Sequence, residues 1–288
     1  MKTEKCRICS SKNIYPVRMI VSPHGNNPYN LIQCRDCLCR TFDQHEHAVD
    51  IQDFYEKLAG EHQTVKNPTF KENKSWRILR DKIITQLGIN PQSILDVGCR
   101  TGDFLMHFDK NIIREGVEIS SEYATIASSR GLTIYNDFLE NTQFQRKYDI
   151  VSCLAILEHL VDPVIFLNKL NQLVSPGGIL LILIPTYECF KETLLHKLDR
   201  QWHMYRPPEH LNFYSQYFLD QFMVDKGFAI VKREFTSGGM FNPFSNYKSL
   251  KKIFATFMFY YDLSPLNRFP VFDHLYCYYV NITSGRQD

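Results

Sequence analysis

From Ser93 onward, short apolar runs alternate with stretches whose apolar residues recur every three or four positions. The runs at 93–97, 113–118, 132–136, 148–154 and 179–185 have strand length and are rich in Ile, Leu and Val. Before the last of them, "DPVIFLNKLNQLV" places Phe166, Leu167, Leu170 and Val174 on one helical face. Asp162 suits the cap of that helix, Pro163 suits its first turn, and "SPGG" at 175–178 ends it. Ser215 caps a further helix over "QYFLDQFMVDK", and Gly227 stops it. "FAIVKREFT" and "HLYCYYVNIT" read as the two final strands. Strands alternating with helices predict an α/β fold with a mostly parallel sheet. Upstream, "SWRILRDKIITQL" sets Trp76, Leu79, Ile83 and Leu87 on one face. The chain therefore divides into 1–45, a helical connector at 46–90 packed on the core, and a main domain at 91–288.

Charge and composition narrow the picture. The 33 Lys and Arg nearly balance the 31 Asp and Glu, a net charge of +2, which provides no broad basic surface for nucleic acid. The polar start "MKTEKCRICSS" lacks the apolar core of an export signal, and "ILLILI" at 179–184 is far too short to cross a membrane. Nine cysteines without such a signal suggest reduced thiols or metal ligands in a cytoplasmic protein.

Five of those cysteines fall in residues 1–45. Cys6 and Cys9 form one CxxC pair, and Cys34 and Cys37 form another, with 24 residues between the pairs. Two such knuckles can present four thiolates tetrahedrally to one zinc ion, closing the site to water and substrate. This spacing therefore predicts a structural zinc module, with Cys39 as a spare thiol.

"SILDVGCRTGDFL" at 93–105 reads as a strand, a glycine turn and the start of a helix, a geometry that offers backbone N–H groups to a ligand. A dinucleotide fingerprint would need glycine at its first, third and sixth positions, which here are Gly98, Arg100 and Asp103. A phosphate-binding loop would need Gly-Lys-Ser/Thr, which does not follow. The stretch instead resembles motif I of class I S-adenosylmethionine-dependent methyltransferases, with Asp96, Gly98 and Gly102 matching and Arg100 replacing the middle glycine. Glu118 ends the next strand about 20 residues on, an offset suited to a ribose-binding carboxylate. "YND" at 135–137, "YDIVSCLAILEHLVDP" and "LVSPGGILLILIP" resemble the family's later segments in order.

The resemblance implies a seven-stranded Rossmann-like sheet with its last strand antiparallel and helices on both faces. It implies an S-adenosylmethionine site in which Asp96, Gly98, Arg100 and Gly102 form the loop. Glu118 would bind the ribose, Asp137 and the Phe138 backbone the adenine, Cys153 and Leu154 the floor below the sulfonium, and Ile119 would be a further cofactor-binding residue. Arg100 would point outward or reach the cofactor carboxylate. Residues 1–45 resemble the zinc-ribbon-like extension ahead of some small-molecule methyltransferases.

On the acceptor side, His159 follows Glu158 after the fourth strand and is the first candidate for a general base. His210 and His203 are the other candidates, in "RQWHMYRPPEHLNFYS", whose "PPEHLNFYS" resembles a segment of ubiquinone-biosynthesis-like methyltransferases. Arg206 would hold an anionic group, with Tyr205 and Trp202 beside the acceptor, so that 186–214 forms a lid. A helical insertion at 240–272 contains an apolar face in 248–261 flanked by lysines, suited to peripheral membrane contact, an acceptor cap or packing. The expected reaction is O- or N-methylation of a small molecule such as a saccharide, nucleotide-sugar or other biosynthetic intermediate. An RNA or protein methyltransferase and a non-catalytic binding protein with an altered loop remain alternatives.

Overall fold

The computed structural model describes residues 4–24, 27–42, 70, 72–86, 88–236, 261 and 264–283. At the N-terminus, β1 (Ile14–Val21), β2 (Pro28–Cys34) and β3 (Arg40–Phe42) form an antiparallel meander. Of the expected connector, α1 (Lys74–Asp81) lies among the described residues and runs into a single π-helical turn at Lys82–Gln86. Asn73 caps α1, accepting the Ser75 N–H, and its apolar face buries Leu79 while Trp76 packs on Phe104, 5.3 Å between rings.

The main sheet begins with β4 (Ser93–Val97), β5 (Ile113–Val117) and β6 (Thr133–Tyr135). The helix α2 (Ser121–Ser129) connects β5 to β6, and β7 (Tyr148–Leu154) follows. Next come α3 (Pro163–Gln172), β8 (Val174–Pro185), α4 (Phe190–Lys197) and the two-residue β9 (Asn212–Phe213). The chain ends with α5 (Gln216–Asp225), β10 (Phe228–Thr236) and β11 (His274–Asn281). The seven strands are ordered β10-β11-β8-β7-β4-β5-β6, with β11 antiparallel to both its neighbours. This is the Rossmann-like arrangement expected from the sequence, last strand included. All five residues of β4 are buried, as a central strand covered on both faces requires.

Asp162 and Ser215 cap α3 and α5 as expected, and their side chains accept the N–H groups of Ile165 and Phe218. Two local expectations are corrected. "SPGG" does not separate α3 from a strand at 179: β8 starts at Val174, because the chain pairs with Tyr148 and an irregularity before Ile150 absorbs the turn residues. Val174 is buried, but as the first strand residue. The glycine turn after β4 opens a short 3₁₀ turn, Leu105–His107, since Phe104, Leu105 and Phe108 pack inward around Trp76.

The two sheets are not separate bodies. β9 pairs antiparallel with β3, through Arg40–Phe213 and Thr41–Asn212, and so becomes the fourth strand of the N-terminal sheet. Residues 186–214, expected as a lid, chiefly cover this sheet: Trp202, Tyr205 and Phe213 pack with Ile20, Tyr29, Leu31 and Phe42. Half-buried Arg40 bridges the parts, donating from Nη1 to Glu192 Oε1 at 2.8 Å and Tyr205 Oη at 2.6 Å. Of the expected insertion at 240–272, residues 240–260, 262 and 263 lie outside the described residues. No helix among the described residues is long and apolar enough to cross a membrane.

Candidate functional site

A cavity of about 560 Å³ opens where β4, β5 and β7 end, lined by Gly98, Arg100, Glu118, Ile119, Tyr123, Phe138, Leu154 and Ile156 on one side. Open α/β sheets bind ligands at this edge, and the volume lies within the usual range of about 300–1,000 Å³. His159, Leu160, Val161, Asp162, Phe166 and Glu209 line the other side.

The glycine turn is shaped by contact with this wall. Gly98 has φ +75°, and a Cβ there would come within 2.3 Å of Ile156 Cδ1. Gly102, also at φ +75°, is pressed against Leu132, though it does not line the cavity. Arg100 stands at φ 50°, the left-handed region that glycine would occupy without strain. Arg100 is exposed, and its guanidinium lies over the Tyr123 ring at 5.1 Å while its Nη2 donates to Tyr123 Oη at 3.3 Å.

The turn's N–H groups are committed within the protein. Gly98 and Cys99 donate to the Val117 carbonyl, and Arg100 N donates to Glu118 Oε2 at 2.8 Å. They form no phosphate nest, which agrees with the failed dinucleotide fingerprint. Ser120 N donates to Glu118 Oε1, also at 2.8 Å, so two backbone N–H groups fix this buried carboxylate at the cavity wall. Burial raises its pKa, while those N–H groups oppose the shift. Asn136, within the quoted "YND" but not singled out, donates its Nδ2 to the carbonyls of Glu118 and Ile119 and props the same turn.

Other expected residues divide by strand geometry. Leu154 lines the cavity, whereas Cys153 is fully buried away from it, as successive strand residues face opposite ways. Phe138 lines the cavity, but the Asp137 carboxylate accepts from its neighbour Phe138 N and from Asn141 Nδ2 in a local turn. Asp96 is buried behind the wall, accepting from Ser152 Oγ at 2.6 Å, and burial raises its pKa to about 7.

Of the three candidate histidines, the structure brings only His159 to the cavity lining. Its Nδ1 meets the Glu209 carbonyl oxygen at 2.8 Å. His210 lies behind it, the rings edge to face with centroids 4.8 Å apart, and its Nδ1 meets the Met204 carbonyl oxygen at 2.9 Å. Burial lowers the pKa of both, that of His210 to about 3, and raises that of Glu158 to about 8. His203 is elsewhere, 3.6 Å from Asp273. Trp202 and Tyr205 do not line the cavity: Trp202 Nε1 donates to Asp273, and Tyr205 is held by Arg40 and Glu192. Arg206 is spent on Glu209, Nη2 to Oε2 at 2.9 Å, and does not present an open cation to the pocket. Glu209 itself, between Pro208 and His210, is the wall residue that the aromatic character of its segment concealed.

At the N-terminal sheet, Cys6 and Cys37 sulfurs lie 3.6 Å apart and those of Cys9 and Cys34 3.5 Å apart. All four lie within 4.8 Å of one another. Zinc at about 2.3 Å from each sulfur makes a tetrahedron with edges of about 3.8 Å, so the donor set fits the ion. Cys39 is not one of the four; the Ser215 N–H donates to its sulfur at 3.4 Å.

A profile of the methyltransferase domain matches residues 44–233. The chain belongs to this methyltransferase family. The match starts after β3, so β1–β3 and the clustered cysteines precede the shared domain, while β9 falls within it. Among curated relatives, the methyltransferase is 32% identical over 112 residues to the ubiquinone biosynthesis O-methyltransferase of Hydrogenovibrio crunogenus, covering 35% of this chain and 46% of that protein. The chain spans about half the length of the curated relatives it matches. Its fold is shared with a chain of the Haloferax volcanii complex between the Trm112 methyltransferase activator and a methyltransferase, at TM-score 0.55 and 14% identity, covering 82% of this chain and all of that one. It is shared too with magnesium protoporphyrin IX methyltransferase from Synechocystis PCC 6803, solved with bound SAH, at TM-score 0.50 and 14% identity, covering 80% of this chain and 97% of that one.

Proposed function

We propose that this protein binds S-adenosylmethionine in the cavity at the strand ends and transfers its methyl group to a small-molecule acceptor held against His159 and Glu209. The observation that carries this reading is Glu118, a buried carboxylate fixed by two backbone N–H groups at the pocket wall. Each of its oxygens retains a lone pair for a ribose hydroxyl, while Phe138 and Leu154 supply apolar wall for the rest of the cofactor. The cofactor supplies the electrophilic methyl group. The chain's own task is to position the acceptor in line and exclude water, and Leu160, Val161 and Phe166 provide the apolar surroundings for it. The acceptor side carries Glu209, Asp162 and His159 with Arg206 already paired, which favours a hydroxyl- or amine-bearing acceptor over an anionic one. His159 is the histidine that borders the place for the acceptor. Cys6, Cys9, Cys34 and Cys37 would hold one structural zinc and add no chemistry.

Calorimetry with S-adenosylhomocysteine tests the cofactor assignment. The wild-type protein is expected to bind one equivalent, and Glu118→Ala to bind at least about a hundredfold more weakly, roughly 2.7 kcal/mol. Absence of wild-type binding, or unchanged affinity in the variant, contradicts it.

A further inference from the structure

We propose that Glu158, His159 and His210 form a divalent metal site in the acceptor-side wall, suited to a first-row ion such as Mn²⁺, Fe²⁺ or Zn²⁺. One ligand atom from each lies within 4.8 Å of the other two. Two histidines and one carboxylate, with positions left for other ligands, form a donor set that such ions accept.

Three features set this cluster apart from ordinary packing. Glu158 is only 2% exposed and its Oε2 has no hydrogen-bond partner, so a buried carboxylate oxygen is left unsatisfied beside two imidazoles. Both rings meet a backbone carbonyl through Nδ1, His159 that of Glu209 and His210 that of Met204. A carbonyl oxygen can only accept, so Nδ1 of His210 carries the proton and its lone pair sits on Nε2, while His159 also meets the Ala155 carbonyl. Protein metal sites orient their histidine ligands by this device. His159 Nε2 is 3.9 Å from Glu158 Oε1, and His210 Nε2 is 4.0 Å from Glu209 Oε1, which offers a further oxygen on the cavity side.

An ion about 2.1 Å from each donor sets neighbouring donors roughly 3–4 Å apart, so a shift of about an ångström in these side chains closes the site. The elements carrying them are already clamped together. Leu211 N donates to the Glu158 carbonyl at 2.6 Å and Tyr214 Oη donates to that of Leu157 at 2.7 Å. Because His159 lines the cavity, the ion would stand where an acceptor oxygen can reach it. That consequence rests on the methyl-transfer reading, whereas metal binding itself does not.

The probe is Mn²⁺, followed by the loss of its aqueous electron paramagnetic resonance signal on binding. As a hard ion it avoids the thiolate cluster at the N-terminus. The wild-type protein should take up one Mn²⁺ per chain, and Glu158→Gln and His210→Ala should each weaken uptake by at least about tenfold while still binding S-adenosylhomocysteine. An unchanged free signal with wild-type protein at millimolar Mn²⁺, or variants that bind as wild type, overturns the proposal. Should either variant fail to fold, wild-type crystals soaked in Mn²⁺ decide the matter by anomalous scattering. A peak among the three ligand atoms supports the site, and density without one refutes it. Calorimetry with S-adenosylhomocysteine tests the cofactor reading separately, so the two can fail independently.

Discussion

Arg100 shows how a side chain can occupy a glycine's place without spoiling the turn. The contact that matters for the pocket is its backbone N–H to Glu118, which any residue but proline supplies. Arg100→Gly relieves a left-handed conformation worth on the order of 1–3 kcal/mol but adds about 0.5–1 kcal/mol of chain entropy to be lost on folding. We expect stability in urea to change by no more than about 2 kcal/mol and cofactor affinity by less than about tenfold, roughly 1.4 kcal/mol. A larger loss of affinity would show that the guanidinium itself holds the ligand. Asp96 makes a different point. Its buried carboxyl has a pKa raised from 3.8 to about 7, so it favours the folded state at low pH and loses that advantage as pH climbs to about 7. In the cofactor-free protein, Asp96→Asn should therefore raise the melting temperature at pH 8 by at least about 2–4 °C, and the gain should shrink toward pH 4. A pH-independent difference would contradict this.

Among the elements, legibility followed the length of the pattern. The seven strands of the main sheet and the caps of α3 and α5 were readable because each has several apolar positions in a fixed period or a capping side chain of definite chemistry. The glycine turn and Glu118 were readable from type and spacing. β9 was not, for two residues carry no period, and yet it joins the two sheets. Missing it made Trp202 and Tyr205 look like a pocket lid, since aromatics covering a second sheet and aromatics covering a ligand look alike in sequence. β9 also reaches the cavity wall: Asn212 Nδ2 donates to the Leu160 carbonyl at 2.6 Å, while Ser215 Oγ donates to the Cys37 carbonyl at 2.6 Å. The cysteine knuckle and the acceptor wall are thus linked by one short segment.

At the scale of the whole molecule, the methyltransferase sheet carries a second sheet of which the family match includes only β9. Purified protein should hold one zinc per chain, absent from the Cys34→Ser, Cys37→Ser double variant. The linkage through β9 predicts that the variant exchanges amide hydrogens faster at 157–160 and 211–215, while β4 and β5 stay protected. Uniform protection in both proteins would show that the knuckle does not brace the acceptor wall. The central claim is that the cavity over β4, β5 and β7 is a methyl-donor site. A crystal structure with S-adenosylhomocysteine tests it most directly. We predict ribose hydroxyls on Glu118, the adenine beside Phe138, and the sulfur turned toward the wall formed by His159 and Glu209. Ligand density in any other place, or a ribose that leaves Glu118 uncontacted, would contradict the account.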